Sequence, residues 1–321
     1  MKPPYDISNK ILGLISSISE KVGEVKSAQL VKPPTKLRKR NRIKTIQSSL
    51  EIEGNTLTIE QITDLINNKR VLAPKKDILE VKNAIKVYSV LDKFDPYTLQ
   101  SLCSAHKVLM TDLLDNAGAL RKTSVGIVKG DDVAHIAPPG DMVYPLMNDL
   151  FDYLRNDDDL LLIKSCVFHY EFEFIHPFPD GNGRMGRLWQ TMILKEYSPV
   201  FEFLPIETLI KERQQDYYAV LGKSDIQGNS TSFIEFMLEI INYSLEDLLR
   251  TQNQTLSNND RINLFKEIIG KSYFSRQDYL RHNKNISTAT ASRDLKDAVD
   301  KGVLKKTGDK RLTKYHFTNQ N

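Results

Sequence analysis

The chain has 321 residues, 40% apolar and 27% charged, which suits a soluble globular protein with one large domain and a small one. No run of 18 apolar residues occurs, which excludes a helical membrane span, and two cysteines in apolar stretches, Cys103 and Cys166, exclude a disulfide framework. The net charge of +4 is uneven: residues 256–321 carry 14 Lys and Arg against 7 Asp and Glu, residues 1–53 carry 11 against 5, and the middle is acidic. The basic ends suit an acidic partner or nucleic acid. Reduced cysteines point to a cytoplasmic setting.

In chain order, the first element is a helix with Ile11, Leu14, Ile15, Ile18 and Val22 on one face, without the cleavage site of a signal peptide. NRIKTIQSSLEIE, residues 41–53, is a second helix, stopped by Gly54. The basic cluster Lys36, Arg38, Lys39, Arg40, Arg42 and Lys44 reads as its solvated start. Glu51 and Glu53 fall in its last turn, where the helix dipole disfavours anions by roughly 0.3–1 kcal/mol each. Either they are solvated, or a cation elsewhere in the fold waits for one of them.

Helical spacing continues through TIEQITDLINNK, KDILEVKNAIKVYSVLDKF, LQSLCSAHKVLMTDLL, YPLMNDLFDYLRN and DLLLIKSCVFHYEFEFI. One interruption is β-prone: Val125, Ile127 and Val128, then KGDD, then VAHI, which reads as a hairpin over 124–137 ended by Pro138 and Pro139. TQNQTLSNND, residues 251–260, reads as a polar linker.

HPFPDGNGRMGR, residues 176–187, concentrates chemistry in twelve residues. Gly181-Asn182-Gly183 is a turn opening a helix, whose unpaired amides face an arriving anion, and glycine lets backbone approach a phosphate. Arg184 and Arg187 share one face of the first turn, against the dipole, an arrangement that suits a phosphate clamp. Asp180 supplies a hard oxygen of the kind that holds Mg²⁺ on phosphates. His176 is a base that titrates near neutrality.

The stretch resembles the signature of the Fic (filamentation induced by cAMP) family, His-x-Phe-x-Asp/Glu-Gly-Asn-Gly-Arg-x-x-Arg, at every defined position. The resemblance spans roughly residues 40–250. It implies a mainly α fold: a Fic helical core with a β-hairpin flap, preceded by N-terminal helices over 1–55 and running over 56–250. It implies transfer of AMP from ATP to a hydroxyl of a protein, or of the chain itself, with release of pyrophosphate. His176 would deprotonate the hydroxyl, Asp180 would hold Mg²⁺, and Asn182 with the amides at Gly181 and Gly183 would hold the α-phosphate. Arg184 and Arg187 would bind the other phosphates, Gly186 would be a further nucleotide-binding residue, and Phe178 would anchor the loop. The hairpin would pair with an extended target segment. In KERQQDYYAVL, Tyr217 and Tyr218 are both candidates to meet adenine.

SLEIEG, residues 49–54, resembles the family's inhibitory motif, Ser/Thr-x-x-x-Glu-Gly/Asn. Ser49 and Glu53 share a helix face. In that reading Glu53 pairs with Arg187 and keeps it from the γ-phosphate, while Glu51 stays solvated.

Residues 274–317 read as helix, turn, helix ending at Gly302, then two strands around Gly308-Asp309. They resemble a winged helix-turn-helix domain over 256–321. Thr288, Thr290, Arg293 and Lys296 would face a DNA groove, with Lys310, Arg311 and Lys314 in the wing; docking onto a protein is the other use of such a module. A homodimer is left open. So are transfer of a different group, removal of AMP, and a regulator whose core only senses ATP.

Overall fold

Helix α1 (Asn9–Ser27) starts where the Ser8 hydroxyl accepts the Ile11 N–H at 3.2 Å, and it buries Ile11, Ile18, Val22 and Val25. α2 (Thr35–Ile52) is left through Gly54, whose φ of +89° turns the chain out of the helix. α3 (Ile59–Ile66) carries a reciprocal capping box between Thr58 and Gln61. α4 (Lys75–Ser89) and α5 (Leu99–Leu109) follow. The expected helix through Leu114 stops early; Asp112, with φ of +60°, breaks the helical path. β1 (Gly126–Lys129) and β2 (Asp132–Ile136) form the expected antiparallel hairpin, with Gly126 opposite Ile136.

This computed structural model describes all residues except 1, 29–30, 32, 34, 125, 130–131, 256, 271, 284–285, 310–312 and 319–321. At 36, 126–129, 132–136, 251–255 and 267 it describes backbone alone. Val125, the Gly130-Asp131 turn, Lys310 and Arg311, and the Lys36 side chain therefore lie outside the described residues.

α6 (Val143–Asn156), α7 (Leu161–Ile175) and α8 (Asn182–Tyr197) supply the centre of the first unit, Met1–Leu245. α7 is buried on nearly every side, which suits its all-round apolar sequence. In α8, fully buried Trp189 donates its indole N–H to Pro96 O at 2.9 Å. α9 (Ile206–Glu212) and α10 (Gln214–Gln227) break at Arg213, and α11 (Thr231–Thr255) follows. The N-terminal helices belong to this same unit. Ser8 donates to Glu235, and Ser17 to Asn242, across to α11.

α2 is less solvated than its sequence suggests. Arg42 pairs with Glu202 at 2.8 Å and lies over the Tyr88 ring. Glu51, expected to be solvated, accepts from Lys211 at 2.8 Å and from Gln47 at 2.6 Å, and the lysine holds its carboxyl below the ordinary range.

The second unit, Glu246–Asn321, contains α12 (Asn258–Ile269), α13 (Arg276–His282), α14 (Thr288–Asp300), β3 (Leu304–Thr307) and β4 (Lys314–Phe317). Its core includes Phe265, Phe274, Tyr279, Leu295 and Phe317. Buried Asp294 accepts two bonds from Arg261, at 2.6 and 2.8 Å, and one from the Tyr279 hydroxyl. The linker expected over 251–260 is instead helical on both sides. α11 runs to Thr255, and a capping box between Ser257 and Asp260 starts α12 at once. Among the described residues, no helix is long and apolar enough to cross a membrane.

Candidate active site

The loop between α7 and α8 is held from several directions. His176 ends α7 in the left-handed region, with φ of +50°, and its N–H donates to Phe172 O at 2.9 Å. Phe178 is fully buried and stacks on His106 of α5, with centroids 3.7 Å apart. The Gly118 N–H donates to His106 Nδ1 at 2.8 Å, so that nitrogen is unprotonated. His106 Nε2 therefore carries the hydrogen and donates to Asp180 O at 3.0 Å. Gly181, with φ of +83°, caps α8, and a Cβ there would stand 2.9 Å from Met110 Sδ.

Asn182 braces the same loop. Its Oδ1 accepts the Phe178 N–H at 2.9 Å and its Nδ2 donates to Phe178 O at 2.8 Å, so its amide folds the loop back on itself. That leaves only its backbone N–H, at the start of α8, to face an arriving anion.

Arg187 is 2% exposed. Its Nη2 donates to Glu53 Oε1 at 2.7 Å and to Ser49 O at 2.9 Å, and its Nε to Ser49 Oγ at 3.2 Å. Burial works against the charge, but the Glu53 carboxylate outweighs it and the guanidinium pKa is raised. The same Glu53 oxygen lies against Gly183: a Cβ on that glycine would collide with it. A carboxylate thus sits where the first turn of α8 meets an arginine, a place built for anions. The cation that Glu53 required is Arg187.

Arg184 is also buried, with Nη1 toward Glu80 Oε1 and Nη2 toward Asp180 Oδ1, both at 3.3 Å. Glu80 Oε2 in turn accepts from Asn55 at 2.8 Å. The Asp180 side chain is 53% exposed, and its Oδ1 also accepts the Gly181 N–H. Among the described residues no group of three His, Cys, Asp or Glu could hold a metal ion. A single half-exposed carboxylate fits a Mg²⁺ that arrives with phosphate and water ligands, not a resident cage.

The structure separates the two tyrosines. Tyr217 is 1% exposed and its hydroxyl lies 3.1 Å from His169 Nε2. His169 Nδ1 faces Gln190 Oε1 at 2.7 Å and so carries the hydrogen, which leaves Nε2 to accept from Tyr217. Tyr218 is half-buried beside it, with ring centroids 5.3 Å apart. Gly186 stands in the α7–α8 contact: a Cβ there would come within 2.9 Å of Glu173 Oε1 and 3.1 Å of His169 Cδ2. Its missing side chain serves helix packing. Sequence reasoning passed over His106 and Glu80, whose only signal is a polar residue inside an apolar helical stretch, and Arg121.

The buried titrating groups set an acid profile. Burial pushes His106 down to about 4 and His169 down to about 3. Burial pushes Glu207 and Glu171 up to about 7. Between the ordinary histidine and glutamate ranges, the unfolded chain gains protons at the histidines, while the folded chain already holds them at the two glutamates. The first effect lowers stability as pH falls and the second raises it, each by about 1.4 kcal/mol per pH unit per group. We expect thermal stability to be nearly flat from about pH 6.5 to 4.5 and to fall steeply below that. Glu207→Gln should remove part of the offset and tilt the plateau, which a melting series across pH checks.

Residues 96–194 match the Fic/DOC family. A crystal structure of a Fic family protein from Desulfovibrio desulfuricans G20 is 39% identical, covers 100% of this chain and 99% of its own, and superposes with a TM-score of 0.77. The protein adenylyltransferase Fic of Nematostella vectensis is 28% identical over 204 residues, 60% of this chain and 45% of that one. A probable protein adenylyltransferase of Aquifex aeolicus is 29% identical over 222 residues, 62% of this chain and 68% of that one. This chain spans about half the length of the animal relatives that it matches. Near-complete coverage at 39% identity, with a family match that takes in the α7–α8 loop, places this chain in the Fic family.

Proposed function

We propose that this chain transfers AMP from ATP to a protein hydroxyl, on itself or on another protein, and that Glu53 restrains it. The observation that carries this reading is the Glu53 carboxylate bound to Arg187 and pressed against Gly183, an anion of the chain itself in a site suited to a phosphate. Relatives named protein adenylyltransferase supply the reaction class. In the reaction, the target oxygen bonds to the α-phosphorus, the bond from that phosphorus to the pyrophosphate oxygen breaks, and His176 takes the hydroxyl proton. The amides at Asn182 and Gly183, with that of Gly181 once Asp180 releases it, and the two arginines hold phosphate oxygens, so catalysis is mostly positioning and charge neutralisation. Mg²⁺ held by Asp180 would supply further neutralisation of phosphate charge. Tyr218, half-buried, is better placed than buried Tyr217 to meet the base of the nucleotide. Among the described residues β1 and β2 pair only with each other, which leaves hairpin edges for an extended target segment. Incubation with ATP labelled at the α- or the γ-phosphate tests the reaction: protein-bound label from the α position alone supports AMP transfer, and label from the γ position would make the chain a phosphotransferase.

The second unit carries a separate function in this reading, contact with duplex DNA through a winged helix-turn-helix. Thr288, Arg293 and Lys296 of α14 are exposed, as are Lys305, Lys306 and Lys314, while Thr290 is half-buried with its hydroxyl 3.0 Å from that of Ser287. With about four phosphate contacts, affinity of the full chain for duplex DNA should fall on the order of 100-fold between 50 and 200 mM salt. Arg293→Glu should weaken it at every salt concentration. No binding at low salt in a gel shift would turn the unit into a protein-docking module.

A further inference from the structure

Arg121 lies just before the hairpin and is 3% exposed. Its guanidinium donates to four backbone carbonyls: Nε to His176 O at 2.7 Å, Nη1 to Thr123 O at 2.6 Å, and Nη2 to Pro138 O at 2.8 Å and Ile175 O at 2.9 Å. Its own N–H donates to Pro177 O at 2.9 Å. Among the described residues its side-chain partners are carbonyls and none is a carboxylate, and burial lowers its pKa. The charge is balanced by carbonyl dipoles instead. Two of these close the C-terminal end of α7, where unpaired carbonyls and the negative end of the dipole favour a cation.

The other two carbonyls flank the hairpin, one on each side of β1 and β2. A single planar fork therefore ties both roots of the hairpin to the turn that presents His176. Gly140 tightens the same junction: a Cβ there would collide with the Lys122 carbonyl and stand 2.6 Å from the Thr123 nitrogen. The φ of Gly140 is not positive, so space and not backbone conformation excludes a larger residue there.

We propose that Arg121 is a positioning residue that keeps the hairpin in register with the base, so that a target strand docked on one delivers its hydroxyl to the other. The proposal rests on the AMP-transfer reading above. Lysine cannot substitute, because three donors on one nitrogen cannot reach four carbonyls spread around a fork. A misplacement of about 1 Å between reacting groups costs about 100-fold in rate.

The test uses the full chain in a Glu53→Gln background, with Arg121→Lys and, separately, Gly140→Ala. Both should lower the turnover of label transfer to protein by about 30- to 100-fold. The dissociation constant for ATP, measured by calorimetry, should stay within about threefold. A merely structural role would reduce ATP binding and turnover together, following the folded fraction. Unchanged turnover in either variant, or parallel loss of ATP binding, overturns the proposal. Amide hydrogen exchange gives a readout independent of activity. Arg121→Lys should speed exchange at residues 176–178 and in the hairpin together, and faster exchange in only one of them also overturns it. A parent that shows no label at all would count against AMP transfer, and the exchange result would then judge Arg121 alone.

Discussion

Replacing His176 by alanine should abolish AMP transfer and leave ATP binding nearly intact. General-base catalysis is worth about 100- to 10,000-fold, so residual labelling should fall below detection in a simple time course. The reason for the separation is spatial. His176 closes α7, whereas the anion-facing groups belong to the start of α8. In the proposed reaction the imidazole would meet the hydroxyl proton and the arginines the phosphates. His176 also sits at φ of +50°, a region that asparagine tolerates better than alanine does. His176→Asn is therefore the cleaner variant, since it removes the base with the least disturbance of the turn. Labelling by the asparagine variant at the parental rate would take the base assignment away from His176.

Removing the Glu53 carboxylate should have the opposite effect on activity. Glu53→Gly should label strongly, Glu53→Gln less so, and the parent weakly. The order follows from the geometry. Glutamine keeps the shape and a carbonyl that still accepts from Arg187, but it loses the charge that holds the guanidinium. Glycine clears the space against Gly183 as well. Arg187→Ala should be inactive in every background, because it loses the phosphate contact together with the pair. Stability should move against activity. Arg187 would be left buried with only the Ser49 oxygens. Breaking a buried pair costs about 3–5 kcal/mol, and the Glu53 side chain is 33% exposed, so a loss of about 1–3 kcal/mol is expected. A variant with higher transfer and a lower melting temperature is the signature of a restraint built from a stabilising contact.

The sequence was most legible where chemistry and spacing coincide. A carboxylate at the C-terminal end of α2 and an arginine near the start of α8 each sit at the unfavourable end of a helix dipole, and the fold brings those two together. The hairpin was readable because β-branched residues flank a Gly-Asp pair in the sequence. Residues that support the site from behind were harder to find. Arg121 acts on backbone carbonyls, which carry no residue-type signal, and His106 acts on one carbonyl and one amide. Glu80 looked like a polar member of a helix, and only the packing of α4 near α8 makes it the partner of Arg184. Gly186 and Asn182 fall within the motif, yet one of them serves helix approach and the other folds the loop, a division that spacing along a chain cannot express. The linker expected over 251–260 failed for a local reason: its polar residues include a Ser-x-x-Asp capping box, which starts a helix.

The central claim is that the Glu53–Arg187 pair holds back an adenylyltransferase. The most direct measurement is the rate of protein labelling from α-labelled ATP, taken side by side for the parent, Glu53→Gly, and Glu53→Gly with His176→Asn. The account predicts weak labelling in the first, at least about tenfold more in the second, and none in the third. Equal labelling in the parent and Glu53→Gly, with the His176 variant silent, would contradict it: the enzyme would be real and the carboxylate at the end of α2 would not restrain it.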